Sequence, residues 1–242
     1  MAKRIFEVCV GSYEDVIEAI ENGADRIELN CALPLGGLTP SVSLLKMVKK
    51  ITEIPVVVMI RNRPGGFIYN QIEFEQMLRE AIDLLEAGAD GLVFGSLTNN
   101  LEINSYQTSV MKCISHSYGK EFVFHGALGR VKDYEGSVKK LVGLGVDRIL
   151  TSGGFADVTA GLDGLRKIQS LYGEKIEILA GCGVTETNVE DLLKAGILQI
   201  HGTCKSYRCD LSESNSSFPY VNGQRVKTIA NIVHNFKTQT SN

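Results

Sequence analysis

The chain has 242 residues, of which 44% are hydrophobic, and this predicts a single globular domain over residues 1–242 with a large buried core. Its formal net charge is −3, and it has neither a run of basic residues nor a long apolar segment, so neither nucleic acid nor a membrane is an expected partner. Its six cysteines lack CxxC spacing, which predicts reduced thiols in the cytoplasm rather than a disulfide framework.

One junction recurs along the chain: a helical pattern ends at a glycine, and an apolar strand pattern follows at once. The glycines are Gly23, Gly88, Gly145 and Gly196. Glycine closes a helix readily because it adopts a left-handed backbone conformation at low cost. Strand patterns occupy residues 5–10, 26–30, 56–61, 92–96, 121–125, 148–152, 176–180 and 198–201, with helical patterns between them. This alternation predicts a parallel sheet built from repeated βα units.

These alternating units favour a closed (β/α)₈ TIM barrel over about residues 4–205, and a chain of about 250 residues is typical of that fold. A doubly wound open sheet is the alternative. Residues 206–223 are polar without clear periodicity and predict a loop on the mouth face, either a mobile cover or a subunit contact, with Tyr207 and Arg208 facing inward. A terminal helix is predicted at about residues 224–237.

In such a barrel, chemistry lies at the C-terminal ends of the strands. Glu7 and Glu28 fall within apolar strands, where a carboxylate is costly unless it is paired, and Arg61 is predicted to lie within salt-bridge distance of both. His125 ends the fifth strand, and the ordinary histidine pKa suits proton transfer near neutrality. These four residues are therefore candidate catalytic groups. A purely structural ion pair and a structural histidine are the alternatives.

A second candidate site lies where the seventh and eighth strands end. Glycine-rich and small polar exits from these strands are typical of the phosphate-binding corner of TIM barrels, where backbone N–H groups receive the anion. The predicted anion-binding residues are Arg63, Ser152, Gly153, Gly181, Gly183, His201 and Thr203. The glycines are also explained if they only relieve crowding at tight turns.

Six short motifs lie in these segments: EVCV (7–10), GADRIEL (23–29), GGLTPS (36–41), VMIRNR (58–63), RILTSG (148–153) and HGT (201–203). GADRIEL followed by GGLTPS at this spacing is the most specific of them. Through these motifs the chain resembles, over about residues 6–203, the CutC family of cytoplasmic copper-homeostasis proteins. The resemblance implies a (β/α)₈ barrel, handling of Cu(I) in the cytoplasm and a homo-oligomer.

Residue by residue, the resemblance places the family's functional positions at the barrel mouth. They correspond to Cys9, Glu7, Glu28, Arg61, Arg63 and His125. The chain departs from the family at Asn30, where a cysteine is usual, and the thiol is displaced to Cys31. It departs again at FHGALG (124–129), because Gly126 and Gly129 replace the arginine and aspartate of the family's FHRAFD.

Three functions are consistent with these residues. The first is Cu(I) binding by Cys9 and Cys31, with Cys182 and Cys204 on neighbouring strands of the barrel, because soft thiolates suit Cu(I). Inert buried thiols are the alternative explanation of these cysteines. The second function is an enzyme that acts on a small anionic or phosphorylated metabolite. The third is a scaffold barrel without catalysis, which Gly126 and Gly129 favour.

Overall fold

The computed structural model describes residues 3–212 and 216–237. Within them, strands β1 to β8 are parallel, pair in sequence order and close into a barrel through β1 and β8. Their bounds are Ile5–Val10 (β1), Arg26–Leu29 (β2), Val56–Met59 (β3), Gly91–Phe94 (β4), Glu121–Phe124 (β5), Arg148–Thr151 (β6), Glu177–Ala180 (β7) and Gln199–Gly202 (β8). The predicted (β/α)₈ barrel is confirmed, and the open sheet is excluded.

The helices lie outside the barrel, and none in the described part of the chain is long and apolar enough to cross a membrane. Their bounds are Tyr13–Glu21 (α1), Val42–Val48 (α2), Gln71–Glu86 (α3), Ser105–Ser117 (α4), Tyr134–Gly143 (α5), Leu162–Tyr172 (α6), Val189–Lys194 (α7) and Gly223–Asn235 (α8). Helix α3 begins with a capping box, because the Asn70 side chain accepts from the Glu73 N–H and the Glu73 carboxylate accepts from the Asn70 N–H. The four predicted junction glycines all have positive φ.

The barrel interior contains an apolar cluster and several buried charged groups. The larger apolar core fills the space between the barrel and its helices. Inside the barrel, a smaller apolar cluster on β3, β4 and β5 consists of Val57, Met59, Val93 and Val123. Buried charged or polar residues of β1, β2 and β8 include Glu7, Arg26 and His201, and Arg148 of β6 is also buried.

Residues 206–223 differ from the predicted loop. Residues 213–215 lie outside the described part of the chain. On either side of them, β9 (Lys205–Asp210), which begins one residue earlier, and β10 (Ser216–Val221) pair as an antiparallel hairpin. The hairpin lies on the mouth side, because it borders a second cavity of about 350 Å³ that also includes Cys9. Tyr207 lines this cavity although it is 61% exposed, whereas Arg208 is exposed and does not line it, so the expectation that both face inward is wrong for Arg208. Arg208 instead pairs with Glu14 and lies over the Tyr220 ring.

Candidate metal centre at the barrel mouth

A cavity of about 830 Å³ opens at the C-terminal ends of the strands. Its lining includes predicted site residues from β1, β2 and β8 and from the exits of β3, β5 and β7. They are Cys9, Glu28, Arg61, Arg63, His125, Cys182 and His201. The barrel topology therefore brings most of the predicted charged and thiol groups to one mouth.

Glu7 lies below this cavity at the centre of a buried ion-pair network. The strand register places it opposite Arg26 on β2 and His201 on β8. Arg26 Nε donates to Glu7 Oε2 at 2.5 Å, and Glu7 Oε1 lies 2.7 Å from His201 Nδ1. Burial opposes ionisation of Glu7, but Arg26 and His201 outweigh it and hold the pKa of the carboxyl well below its ordinary value.

Arg61 does not belong to this network. In the described part of the chain, no ion pair joins Arg61 to a carboxylate, so the predicted contact with Glu7 and Glu28 is wrong. Its guanidinium donates to backbone carbonyl oxygens at 2.7–3.3 Å, those of Leu35, Gly36, Gly37 and Gly65. The physical reason is that Arg61 lies beyond the end of β3, where the loops after β2 and β3 fold around it.

Cys9, Glu28 and His201 converge directly above Glu7. One ligand atom from each lies within 4.8 Å of the others, and all three residues are buried. Strand register explains this convergence. Cys9 of β1 pairs with Glu28 of β2, and Glu7, two residues before Cys9 on the same face of β1, pairs with His201 of β8. Burial and the nearby Glu28 carboxylate raise the pKa of the Cys9 thiol well above its ordinary value.

The Asn30 side chain holds two members of this cluster in place. Its amide Nδ2 donates to Glu28 Oε2 at 2.9 Å and to Cys9 Sγ at 3.4 Å. Glu28 Oε1 is buried and has no hydrogen-bond partner in the described part of the chain. Sequence reasoning missed Arg26, and it treated Asn30 only as the position of a missing family cysteine. The available signal was the two-residue alternation of a strand, which puts them on the same face as Glu28.

The other thiols lie apart from the cluster. Cys31 Sγ donates to the Thr39 carbonyl at 3.1 Å, because β2 ends at Leu29 and the chain turns away. Cys182 is exposed, with φ of 77°. Cys204 is buried, and burial raises the pKa of its thiol to about 12. The group that can hold an ion therefore contains Cys9 but not Cys31.

His125 is a neutral hydrogen-bond donor. Its Nδ1 accepts from the Ala127 N–H at 3.1 Å, so the ring proton resides on Nε2, which is buried and has no partner. Burial and the charge of Arg61 lower the pKa of His125 to about 3. The expectation of a pKa near neutrality is therefore wrong. A role in catalysis stays a prediction, and this tautomer fits a donor rather than a base.

The predicted anion corner forms a separate cavity of about 470 Å³. Its lining includes Ser152, Gly181, Gly183, His201 and Thr203. Two other predicted members are engaged elsewhere: the Gly153 N–H donates to Thr151 Oγ1, and Arg63 pairs with Glu73 beside β3. Anion binding at this corner stays a prediction. Gly126 and Gly129 border open space, since a Cβ at either position meets no atom within 4 Å.

Fold and site together define a (β/α)₈ barrel whose mouth carries a buried cysteine, glutamate and histidine over a carboxylate–arginine pair. The CutC family model matches residues 4–206. A CutC family protein of Treponema denticola is 42% identical over 196 residues, covering 81% of this chain and 79% of that protein. One from Vibrio vulnificus is 37% identical, covering 84% and 81%. The chain belongs to the CutC family.

Solved structures agree with the family assignment and with the barrel fold. A CutC protein of Streptococcus agalactiae, named provisionally for copper homeostasis, superimposes with a TM-score of 0.77 at 30% identity, covering 83% of this chain and 98% of that one. The 3-hexulose-6-phosphate synthase of Salmonella typhimurium gives a TM-score of 0.63 at 15% identity, covering 95% and 99%. The second likeness shows the fold alone.

Proposed function

We propose that the chain binds a copper ion as cargo through Cys9, Glu28 and His201. The observation that carries the proposal is the convergence of three buried ligand atoms within 4.8 Å at the floor of the mouth cavity. The naming of the related Streptococcus agalactiae protein for copper homeostasis supports copper as the ion.

The donor set fits copper through its sulfur and nitrogen atoms. A Cys9 thiolate is the soft ligand that Cu(I) prefers, and imidazole suits copper in general. Glu7 accepts the Nδ1 proton of His201, which leaves Nε2 of this imidazole for the ion. Burial opposes protonation of this ring, but Glu28 and Glu7 raise the pKa of His201, so the ion must compete with a proton there.

The proposal needs a reducing compartment, because Cys9 must remain a thiol. The cysteines Cys9, Cys31, Cys113, Cys182, Cys204 and Cys209 are all free. This supports the cytoplasm as the proposed location. A homo-oligomer, with the β9–β10 hairpin as a subunit contact, stays a prediction.

The test is the affinity for Cu(I), measured anaerobically against a competing chelator. Cys9→Ser and His201→Asn are each expected to weaken binding by about tenfold or more, because each removes a ligand worth more than about 1.4 kcal/mol. Glu28→Gln is expected to have a smaller effect on Cu(I) than on Zn²⁺, for which a carboxylate is a good ligand.

Cys31→Ser is the matched control, since its thiol bonds to the Thr39 carbonyl rather than to the cluster. It is expected to leave the affinity unchanged. Equal losses in Cys31→Ser and Cys9→Ser would replace the proposed site by the thiol pair of the sequence prediction. Unchanged affinity in Cys9→Ser would exclude both.

A further inference from the structure

We propose that the mouth cavity also contains an oxyanion-binding subsite formed by Arg61 and His125, which takes the carboxylate or phosphate group of a small metabolite. This subsite lies at the exits of β3 and β5, whereas the metal ligands come from β1, β2 and β8. It also differs from the corner between β7 and β8. The proposal does not depend on the metal ion.

Arg61 carries a buried positive charge that no carboxylate of the described residues pairs with. The residue is 4% exposed, and its guanidinium donates to neutral backbone carbonyls. Among the described residues, its Nε has no hydrogen-bond partner. A buried charge that is hydrogen-bonded but not neutralised is costly, and an anionic ligand would remove that cost. Because several carbonyls fix the side chain, the charge is already in position before a ligand arrives.

His125 supplies a second unused donor beside it. In the described part of the chain its Nε2–H has no partner, and the residue is 3% exposed. The Phe67 ring connects the two residues: its centroid lies 5.0 Å from Arg61 Cζ and 4.9 Å from the His125 ring centroid. Arg61, Phe67 and His125 all line the same cavity. The two unpartnered N–H groups are themselves buried, so a ligand reaches them through a small shift of these side chains.

The guanidinium of Arg61 and the Nε2–H of His125 together favour an oxyanion as the ligand. Carboxylate and phosphate oxygens accept from N–H donors and neutralise a guanidinium, and such charge-assisted bonds are stronger than neutral ones. A metal ion is excluded at this wall, because neither a guanidinium nor an imidazole with its proton on the free nitrogen is a ligand. Arg130 lines the same cavity and increases its positive potential, whereas the charge of Arg63, which also lines it, is paired with Glu73.

The cavity size and the Glu28 carboxylate limit the ligand further. At about 830 Å³, the cavity accommodates a metabolite-sized molecule rather than a bare ion. Glu28 on β2 lines the same cavity, and its Oε1 has no hydrogen-bond partner among the described residues. A second anionic group close to Glu28 would be repelled unless a metal ion occupied the Cys9–Glu28–His201 cluster. The metal-free protein should therefore prefer a ligand with a single oxyanion group.

The test is a titration of the ¹⁵N-histidine-labelled, metal-free protein with inorganic phosphate and with acetate and malonate, followed by NMR. His125 is expected to carry its proton on Nε2 before any addition. Its Nε2–H signal is expected to shift with the anion and to saturate, while the exposed His116, which pairs with Asp147 on the outside of the barrel, stays unchanged. Comparison of the dissociation constants of phosphate, acetate and malonate shows which head group the subsite prefers.

Variants give the second readout, the dissociation constant of whichever probe binds. His125→Asn and Arg61→Lys are each expected to weaken binding by about tenfold, and the matched control His116→Asn by less than about twofold. A proton on Nδ1 of His125, or a His125 signal that no probe moves, would overturn the proposal. Equal weakening in His116→Asn would overturn it as well. Where a variant fails to fold, the titration of the wild-type protein alone tests the oxyanion subsite. A protein that does not bind copper would still be expected to bind the anion.

Discussion

Replacing Glu7 by Gln is expected to lower the free energy of unfolding by about 3–5 kcal/mol, because one partner of a buried ion pair is removed. Arg26 would keep only neutral acceptors, among them the Gln199 amide oxygen at 2.7 Å from its Nη2, and would remain a buried charge without a carboxylate. Urea unfolding of the metal-free protein near neutral pH measures the effect. A loss below about 1 kcal/mol would mean that water reaches this network.

The same variant has a predicted pH signature. The pKa of Glu7 in the folded state is lowered below its ordinary value of 4.5, so its stabilising contribution is complete above about pH 4.5 and is lost as the pH falls through the folded-state pKa. The stability difference between wild type and Glu7→Gln should therefore shrink on acidification. Asp163→Asn is the matched control, because Asp163 pairs with Arg166 on the surface with side-chain exposures of 93% and 56%. It should change stability by less than about 0.5 kcal/mol at any pH.

Replacing Arg61 by Met is expected to destabilise the fold by about 2–4 kcal/mol, because a hydrogen bond to a charged group is worth about 1.5–3 kcal/mol and the loop carbonyls lose their donor. The loss of a buried, unneutralised charge offsets part of this cost. The loops after β2 and β3 should become mobile together, since Arg61 is bonded to both. Hydrogen exchange of these loops and urea unfolding measure the two effects.

Arg61→Lys is the matched control for this experiment. It keeps the charge but cannot reach the carbonyls on both loops in the same geometry. It should recover only part of the stability lost in Arg61→Met. Wild-type stability in Arg61→Met would show that the carbonyls are satisfied by water and that Arg61 does not hold the loops.

Most of the fold was predictable because its signals are local. Four of the helix-to-strand junctions have their own glycine, and the strand patterns agree with the observed bounds to within about two residues. The hairpin was missed for a physical reason. Its residues are largely exposed on both faces, as the 61% exposed Tyr207 and 46% exposed Phe218 illustrate, so no buried face imposes an alternating pattern on the sequence.

The sequence predicted the location of the site correctly, but not which of its side chains form ion pairs with each other. Barrel topology is enough to bring Glu7, Glu28 and His125 to one end. The partner of Glu7 depends on strand register, which the sequence does not show, and the structure gives Arg26 and His201 instead of Arg61. Register likewise determines that Cys9 meets Glu28 and His201.

The central claim is that one thiol, one imidazole and one carboxylate form the metal site above the Glu7–Arg26 pair. X-ray absorption at the copper edge of the anaerobic, Cu(I)-loaded protein tests it most directly, because it counts sulfur neighbours. The account predicts one sulfur ligand together with nitrogen or oxygen, and the loss of that sulfur in Cys9→Ser but not in Cys31→Ser. Two sulfur ligands, or a spectrum that Cys9→Ser leaves unchanged, would contradict it.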